Sequence, residues 1–139
     1  MKKILLAVVI ISILVACNNA KKEKIPGKAE GRILLRTDTL NVVKITDTMI
    51  IYESICRGCA YEGSTEFTIS DSLGIVKLDH IESHDNNPPE TDGGYISTNL
   101  ILVPEKPGTT TIKMYKFWEK PYTAEDSAQY TSYSIEVKN

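Results

Sequence analysis

The sequence predicts an all-β domain over residues 32–139, an immunoglobulin-like, Greek-key β-sandwich of seven to eight strands. Three observations carry this expectation. β-Branched and aromatic residues gather in short runs with turn residues between them. The last run alternates cleanly between two faces, and nothing beyond the extreme N-terminus has a helical period. In chain order the expected strands are Ile33 to Arg36, Leu40 to Ile45, Met49 to Cys56, Glu66 to Ser70, Ile75 to Glu82, Tyr95 to Val103, Thr110 to Phe117 and Tyr130 to Lys138. Within the seventh, Ile112 and Met114 alternate with polar neighbours as a half-buried strand requires. In the eighth, Thr131, Tyr133, Ile135 and Val137 share one face, while Ser132, Ser134, Glu136 and Lys138 share the other.

Ahead of the domain, Lys2 and Lys3 precede an apolar run from Ile4 to Val15, followed by Ala16 and Cys17. A basic head, an apolar stretch too short to span a bilayer and a small-residue cleavage site are the parts of an export signal, expected to be residues 1–16. The ending Leu14-Val15-Ala16-Cys17 resembles the lipobox of bacterial lipoproteins, and the resemblance implies that Cys17 is acylated and holds the protein to a membrane. Residues 17–31 are charged and broken by Pro26, Gly27 and Gly31. They are expected to form a tether reaching up to roughly 45 Å, at about 3.3 Å per residue. The expected location is the cell envelope, as an outer-membrane lipoprotein. Asn18, Asn19, Ala20, Lys21 and Lys22 do not form the acidic cluster that follows the cysteine in some surface-exposed lipoproteins, which favours the periplasmic side.

The chain has 139 residues and a formal charge of −2, so it makes one domain and has no field suited to nucleic acid. Besides Cys17 it contains only Cys56 and Cys59. An isolated cysteine pair in an exported protein is expected to be oxidised. No cofactor is expected, and the chain is expected to be a monomer. His80 and His84 would lie roughly 13 Å apart along a strand, too far to share a metal. The sequence has no Gly-x-Ser-x-Gly elbow, phosphate-binding glycine loop or His-Glu-x-x-His helix, so an enzyme is not expected.

Three connections are longer than turns: Arg57 to Ser64, Ser83 to Gly94 and Trp118 to Gln129. Counted from Leu40, they follow the second, fourth and sixth strands. Strands that alternate in direction end at the same pole at every second step, so the three loops are expected to share one face of the molecule. Cys56-Arg57-Gly58-Cys59 in the first loop has the spacing of a redox motif, but Ala60 to Ser64 leads into a strand where such motifs use a helix N-terminus. A structural disulfide is therefore expected over a thiol–disulfide centre. Gly93 and Gly94 allow a positive φ at the end of the second loop. At the third, Trp118, the only tryptophan, either presents a rigid ring to a partner or folds back to plug the core.

Taken in order, these features resemble the chagasin family, small β-sandwich inhibitors of papain-like cysteine peptidases that act through three loops at one end. The similarity runs from Met49 to Asn139. Gly93-Gly94 resembles the family's Gly-rich second loop. Gly108-Thr109, Tyr115 and Trp118 resemble its Gly-Thr strand ending in Tyr and Arg-Pro-Trp, and Tyr130 to Val137 resembles its last strand. Where the family has Asn-Pro-Thr-Thr-Gly, this chain has the loop from Cys56 to Gly63; Lys116-Phe117 stand in place of Arg-Pro. Tyr115 falls out of alternation with Ile112 and Met114, which predicts a bulge or shifted register. The resemblance implies blockade of a papain-like cysteine peptidase by Arg57, Gly58, Gly93, Gly94, Lys116, Phe117 and Trp118. Two other readings stay open: a non-inhibitory binding, adhesion or envelope-assembly lipoprotein, and a Cys56/Cys59 redox protein.

Overall fold

The computed structural model describes residues 31–139; the expected signal peptide, Cys17 and the tether up to residue 30 lie outside the described residues. The strands are β1 (Arg32–Leu34), β2 (Leu40–Lys44), β3 (Thr48–Cys56), β4 (Glu66–Ser70), β5 (Val76–Asp85), β6 (Tyr95–Pro104), β7 (Gly108–Phe117) and β8 (Thr131–Lys138), with one helical turn, α1 (Ala124–Ala128), before β8. They form two four-stranded sheets in the orders β1-β3-β6-β5 and β2-β8-β7-β4. This is a β-sandwich. The path is a Greek key: β5–β6 and β7–β8 are antiparallel neighbours within a sheet, whereas β3 to β4, β4 to β5 and β6 to β7 cross between sheets.

Alternation builds the core. Met49, Ile51, Leu100 and Leu102 from one sheet meet Ile112, Met114, Ile135 and Val137 from the other, all buried. Each such side chain contributes about 1.5–3 kcal/mol when fully removed from water. The crossing from β1 to β2 is fixed by buried Asn41. Its Oδ1 accepts from Arg36 N at 2.9 Å, and its Nδ2 donates to the carbonyls of Arg36 at 2.8 Å and Ser134 at 3.0 Å. A buried amide satisfied on both ends specifies one chain path.

Two expectations change in detail. The predicted bulge near Tyr115 is absent: β7 pairs without interruption from Ser70↔Lys113 to Glu66↔Phe117. Tyr115 faces outward and stacks on Phe117, ring centroids 5.8 Å apart, so it is the outer-face partner in an unbroken alternation. The irregularity lies in β5, between Leu78 and His80. The extra residue, Asp79, reverses the alternation, so that Val76 and Leu78 face inward before it and Ile81 and Ser83 after it. The strand then runs on to Asp85, three residues beyond the predicted end.

The same bulge turns Glu82 outward, where Arg32 from the opposite edge of the sheet reaches it. Arg32 Nη1 and Nη2 donate to Glu82 Oε2 and Oε1 at 2.7 and 2.9 Å. This fork spans the two central strands and ties β1 to β5. His80 Nε2 lies 3.0 Å from the same carboxylate. Arg32 first, then His80, hold the Glu82 carboxyl down to about 2. Because folding lowers this pKa, the stabilisation is complete above the ordinary carboxylate range and is lost as pH falls towards that value. Glu82→Gln is expected to destabilise the protein by about 1 kcal/mol at neutral pH. Thermal melts should show the gap from wild type narrowing as the medium is acidified; a gap constant with pH would contradict the role given to this pair.

Candidate functional site

β3, β5 and β7 end at one pole and β4, β6 and β8 begin there, which gathers the connections 57–65, 86–94 and 118–130. The opposite pole has only short turns. There Asp71 accepts from Leu73, Ile75 and Val76 backbone N–H groups at 3.0, 2.7 and 2.8 Å and from the Thr110 hydroxyl at 2.6 Å. Burial pushes the Asp71 carboxyl up, but these donors outweigh it and hold the group below its ordinary value.

At the loop pole, the first connection is tied to both others. Arg57 N donates to Gly94 O at 2.9 Å, extending the β3–β6 ladder beyond its last pair. The Arg57 side chain then lies over the second loop. Nη1 donates to the carbonyls of Thr91 at 2.9 Å and Pro88 at 3.2 Å, and Nε lies 3.0 Å from Asp85 Oδ2. Asn87 completes this loop, its Nδ2 donating at 2.8 Å both to Asp85 Oδ1 and to Tyr95 O. The Asn87 backbone N–H and then its side-chain amide lower the Asp85 carboxyl, with Arg57 adding to the effect.

Cys56 and Cys59 are joined by a disulfide, Cα atoms 5.6 Å apart. Cys56 is half-buried at the end of β3 and Cys59 is exposed. The ring is closed on itself by Gly58 N donating to Glu62 Oε2 at 2.6 Å, and turns follow it, with no helix. Gly58 (φ 75°) backs directly onto Gly93 (φ 82°), whose backbone N would lie 3.6 Å from a Cβ at Gly58. The first loop reaches the third through Ser64 Oγ, which donates to Trp118 O at 2.6 Å, and through Tyr61, whose ring centroid is 6.3 Å from that of Trp118.

The seven residues named for peptidase contact divide into two groups. Gly58, Gly93, Gly94 and Trp118 come together at the pole. Trp118 is 45 % exposed, so it does not plug the core. Arg57, Lys116 and Phe117 are engaged by partners within the protein. Phe117 is buried on the outer face of its sheet because Tyr122 folds back and stacks on it, centroids 4.1 Å apart. Lys116 points between the sheets: Nζ donates to Ser54 O at 2.7 Å and lies 3.4 Å from Glu53 Oε2, with the Trp118 ring centroid 4.7 Å away. Beneath this pair, burial and then the Glu53 charge push the Tyr133 hydroxyl up to about 12.

The third loop has its own supports. Lys120–Pro121 is a cis bond. Lys120 Nζ lies 2.6 Å from Glu66 Oε1, and the Tyr122 hydroxyl also bonds Glu66. Lys120 first, then Tyr122, lower the Glu66 carboxyl, and the bond to Glu66 raises the Tyr122 hydroxyl. Thr123 and Asp126 form a reciprocal capping box for α1. Between this loop and the first opens a cleft of about 740 Å³, walled by Tyr61, Trp118, Pro121 and Thr123 with the carboxyl-bearing Glu119 and Asp126. Tyr61 and the Asn87 anchor are residues the sequence reading missed. The capping box was readable as Thr-x-x-Asp. Among the described residues no group of three His, Cys, Asp or Glu side chains is placed to hold a metal ion.

No protein-family model and no curated protein sequence matches the chain. Among solved structures it is similar to the crystal structure of the cysteine protease inhibitor EhICP2 from Entamoeba histolytica, at 18 % identity over 77 % of this chain and 96 % of that one, with a TM-score of 0.51. It also aligns with the solution structure of amebosin, at 11 % identity over 77 % of this chain and 94 % of that one, with a TM-score of 0.49. The likeness to EhICP2 is one of fold.

Gly94 tests how tightly the pole is built. A Cβ there would lie 2.5 Å from Asn87 Oδ1, and φ is +102°. Gly94→Ala is expected to cost about 1–3 kcal/mol. Gly63→Ala, at a position in the same pole with nothing within 4 Å of the added Cβ, should be close to neutral. Paired denaturation curves check both; equal effects would mean the Asn87 anchor yields.

Proposed function

We propose that this pole is a binding face that blocks papain-like cysteine peptidases, presented by a lipid-anchored protein of the cell envelope. One observation carries the reading: three loops, cross-tied by Arg57 and Ser64 and stiffened by the Cys56–Cys59 ring, hold an exposed Trp118–Tyr61 pair at the end of the sandwich. The fold shared with a cysteine protease inhibitor supports it, as do the sequence features that resemble chagasins.

The mechanism is obstruction without chemistry. A catalytic thiolate needs a carbonyl carbon held at attack distance and free to become tetrahedral. The missing Cβ lets Gly58 back onto Gly93, while at Gly93, where nothing lies within 4 Å of the Cβ position, it leaves backbone open to a partner's close approach; Arg57 and the disulfide hold this backbone against rearrangement. Little ordering entropy remains to be lost on association, so buried aromatic surface is realised as affinity. The half-buried Cys56 and the turns after Cys59 favour a shaping disulfide over a redox cycle.

A fragment of residues 32–139, which contains both sheets entire, should inhibit papain. Trp118→Ala should leave its denaturation curve nearly unchanged and weaken inhibition by about 2 kcal/mol or more, roughly thirtyfold. Phe117→Ala should do the reverse, costing about 3–5 kcal/mol of stability. Trp118→Ala inhibiting as well as wild type would remove the ring from the binding face, and a fragment that leaves every papain-like enzyme tested active would remove the inhibitory reading.

The anchor is tested separately. Cys17→Ala is expected to move the full chain from the membrane fraction to the soluble one. Sedimentation of that variant with membranes at high salt would refute acylation at Cys17.

A further inference from the structure

We propose that the cleft walled by Tyr61, Trp118 and Pro121 receives a cationic side chain, an arginine or lysine carried by the partner. This rests on the pole being a binding face, as proposed above, and names the chemistry of what it binds. Trp118 lines two hollows: the cleft shared with Tyr61 and Pro121, and a smaller one of about 330 Å³ whose walls include Glu53, Lys116 and Tyr130. Lys116 borders only the second, with its ammonium 4.7 Å from the ring centroid. The indole therefore stands between the two hollows, already holding a cation on the inner side, while on its outer side it and the tilted Tyr61 ring, centroids 6.3 Å apart, together form one wall of the cleft.

Charge selects the occupant. The cleft's charged residues are Glu119, Asp126 and Lys120. Lys120 is neutralised by Glu66 at 2.6 Å, which leaves the carboxylates in excess. The imbalance extends over the pole, where the three loops carry six carboxylates against two cations. Both cations, Arg57 and Lys120, are held in ion pairs. An anion entering this space would be repelled, and an aliphatic side chain would cover the rings while burying carboxylates without a partner. A guanidinium or ammonium stacks on an aromatic face and pairs with a carboxylate at once. The volume exceeds that of one side chain, so a stretch of the partner's main chain can follow its charged residue in.

The test uses the intact chain and its single tryptophan as reporter. Fluorescence is titrated with N-acetyl-arginine amide and, as an uncharged isostere, N-acetyl-citrulline amide. The arginine probe should give a saturable change, with the citrulline probe at least about fivefold weaker. Glu119→Gln, an exposed substitution, should weaken the arginine response several-fold without shifting the thermal melt. Equal responses to the two probes, or an unchanged response in Glu119→Gln, would overturn the assignment. A selective arginine response in a chain that blocks no peptidase would uphold the cleft and remove the inhibitory reading. Peptidase inhibition in a chain deaf to arginine would overturn the cleft and leave inhibition standing.

Discussion

The arrangement of the loop pole depends on how Arg57 distributes its donors. Arginine offers a rigid, planar set of N–H groups that stays charged at any accessible pH. Here one end of that set meets the Asp85 carboxylate and the other meets two carbonyls of the second loop. Those carbonyls belong to a segment containing Pro88, Pro89 and no strand, so they have no ladder to join. Without a donor from outside, the second loop would depend on water and on its own turns. A lysine could satisfy the charge of Asp85 but could not reach three acceptors in one plane.

The two poles show the same problem solved at different lengths. At the short-turn pole, one carboxylate, Asp71, gathers three backbone N–H groups within five residues and closes the turn by itself. The loop pole has connections of nine or more residues, too long for one cap. It is instead divided into local closures: Glu62 on Gly58, Asn87 on Asp85 and Tyr95, Thr123 on Asp126. Long-range ties, Arg57 and Ser64, then join these closed units. Each unit costs chain entropy only locally, and the few ties that cross between loops fix their mutual position.

The strands were legible because burial imposes a period of two on the sequence, clearest in β2 and β8, or leaves a continuous apolar run where both faces are covered, as in β6. Their ends were less so. β5 continues to Asp85 through Ser83 and His84, polar residues whose pairing depends on a partner strand far away in sequence. The pole itself was legible from topology alone, since alternate strand direction places alternate loops together. Which side chains face outward from it was not. Lys116, Phe117 and Trp118 are consecutive, yet one points between the sheets, one is capped by Tyr122 and one is exposed. Alternation assigns Lys116 to the inner face, but only the returning third loop decides that Phe117 is covered. The internal bonds of Arg57 were illegible for a related reason: the acceptors that engage a charged loop residue come from a segment distant in sequence.

If the pole binds as proposed, what remains for recognition is the surface left over after these internal ties. Arg57, Lys116 and Lys120, the cations nearest the pole, are all engaged with carboxylates of the domain. Tyr61, Tyr95 and Trp118 are exposed, and Glu119 and Asp126 line the cleft beside Tyr61 and Trp118. Such a face differs from a sticky apolar patch. Tyr95 opens β6, Trp118 follows β7 and Tyr61 is held in its turn by Thr65, whose N and Oγ1 donate to its carbonyl; each ring has only two side-chain torsions to lose, so contact area comes at a low entropic cost. The charges around them add little affinity in water but penalise partners of the wrong sign. A sandwich fold can be shared at 18 % identity because its core needs only alternation and volume. On the binding role proposed above, a partner would be selected by which side chains the loop ties leave exposed, and in this chain the ties consume the positive charge and spare the aromatic rings.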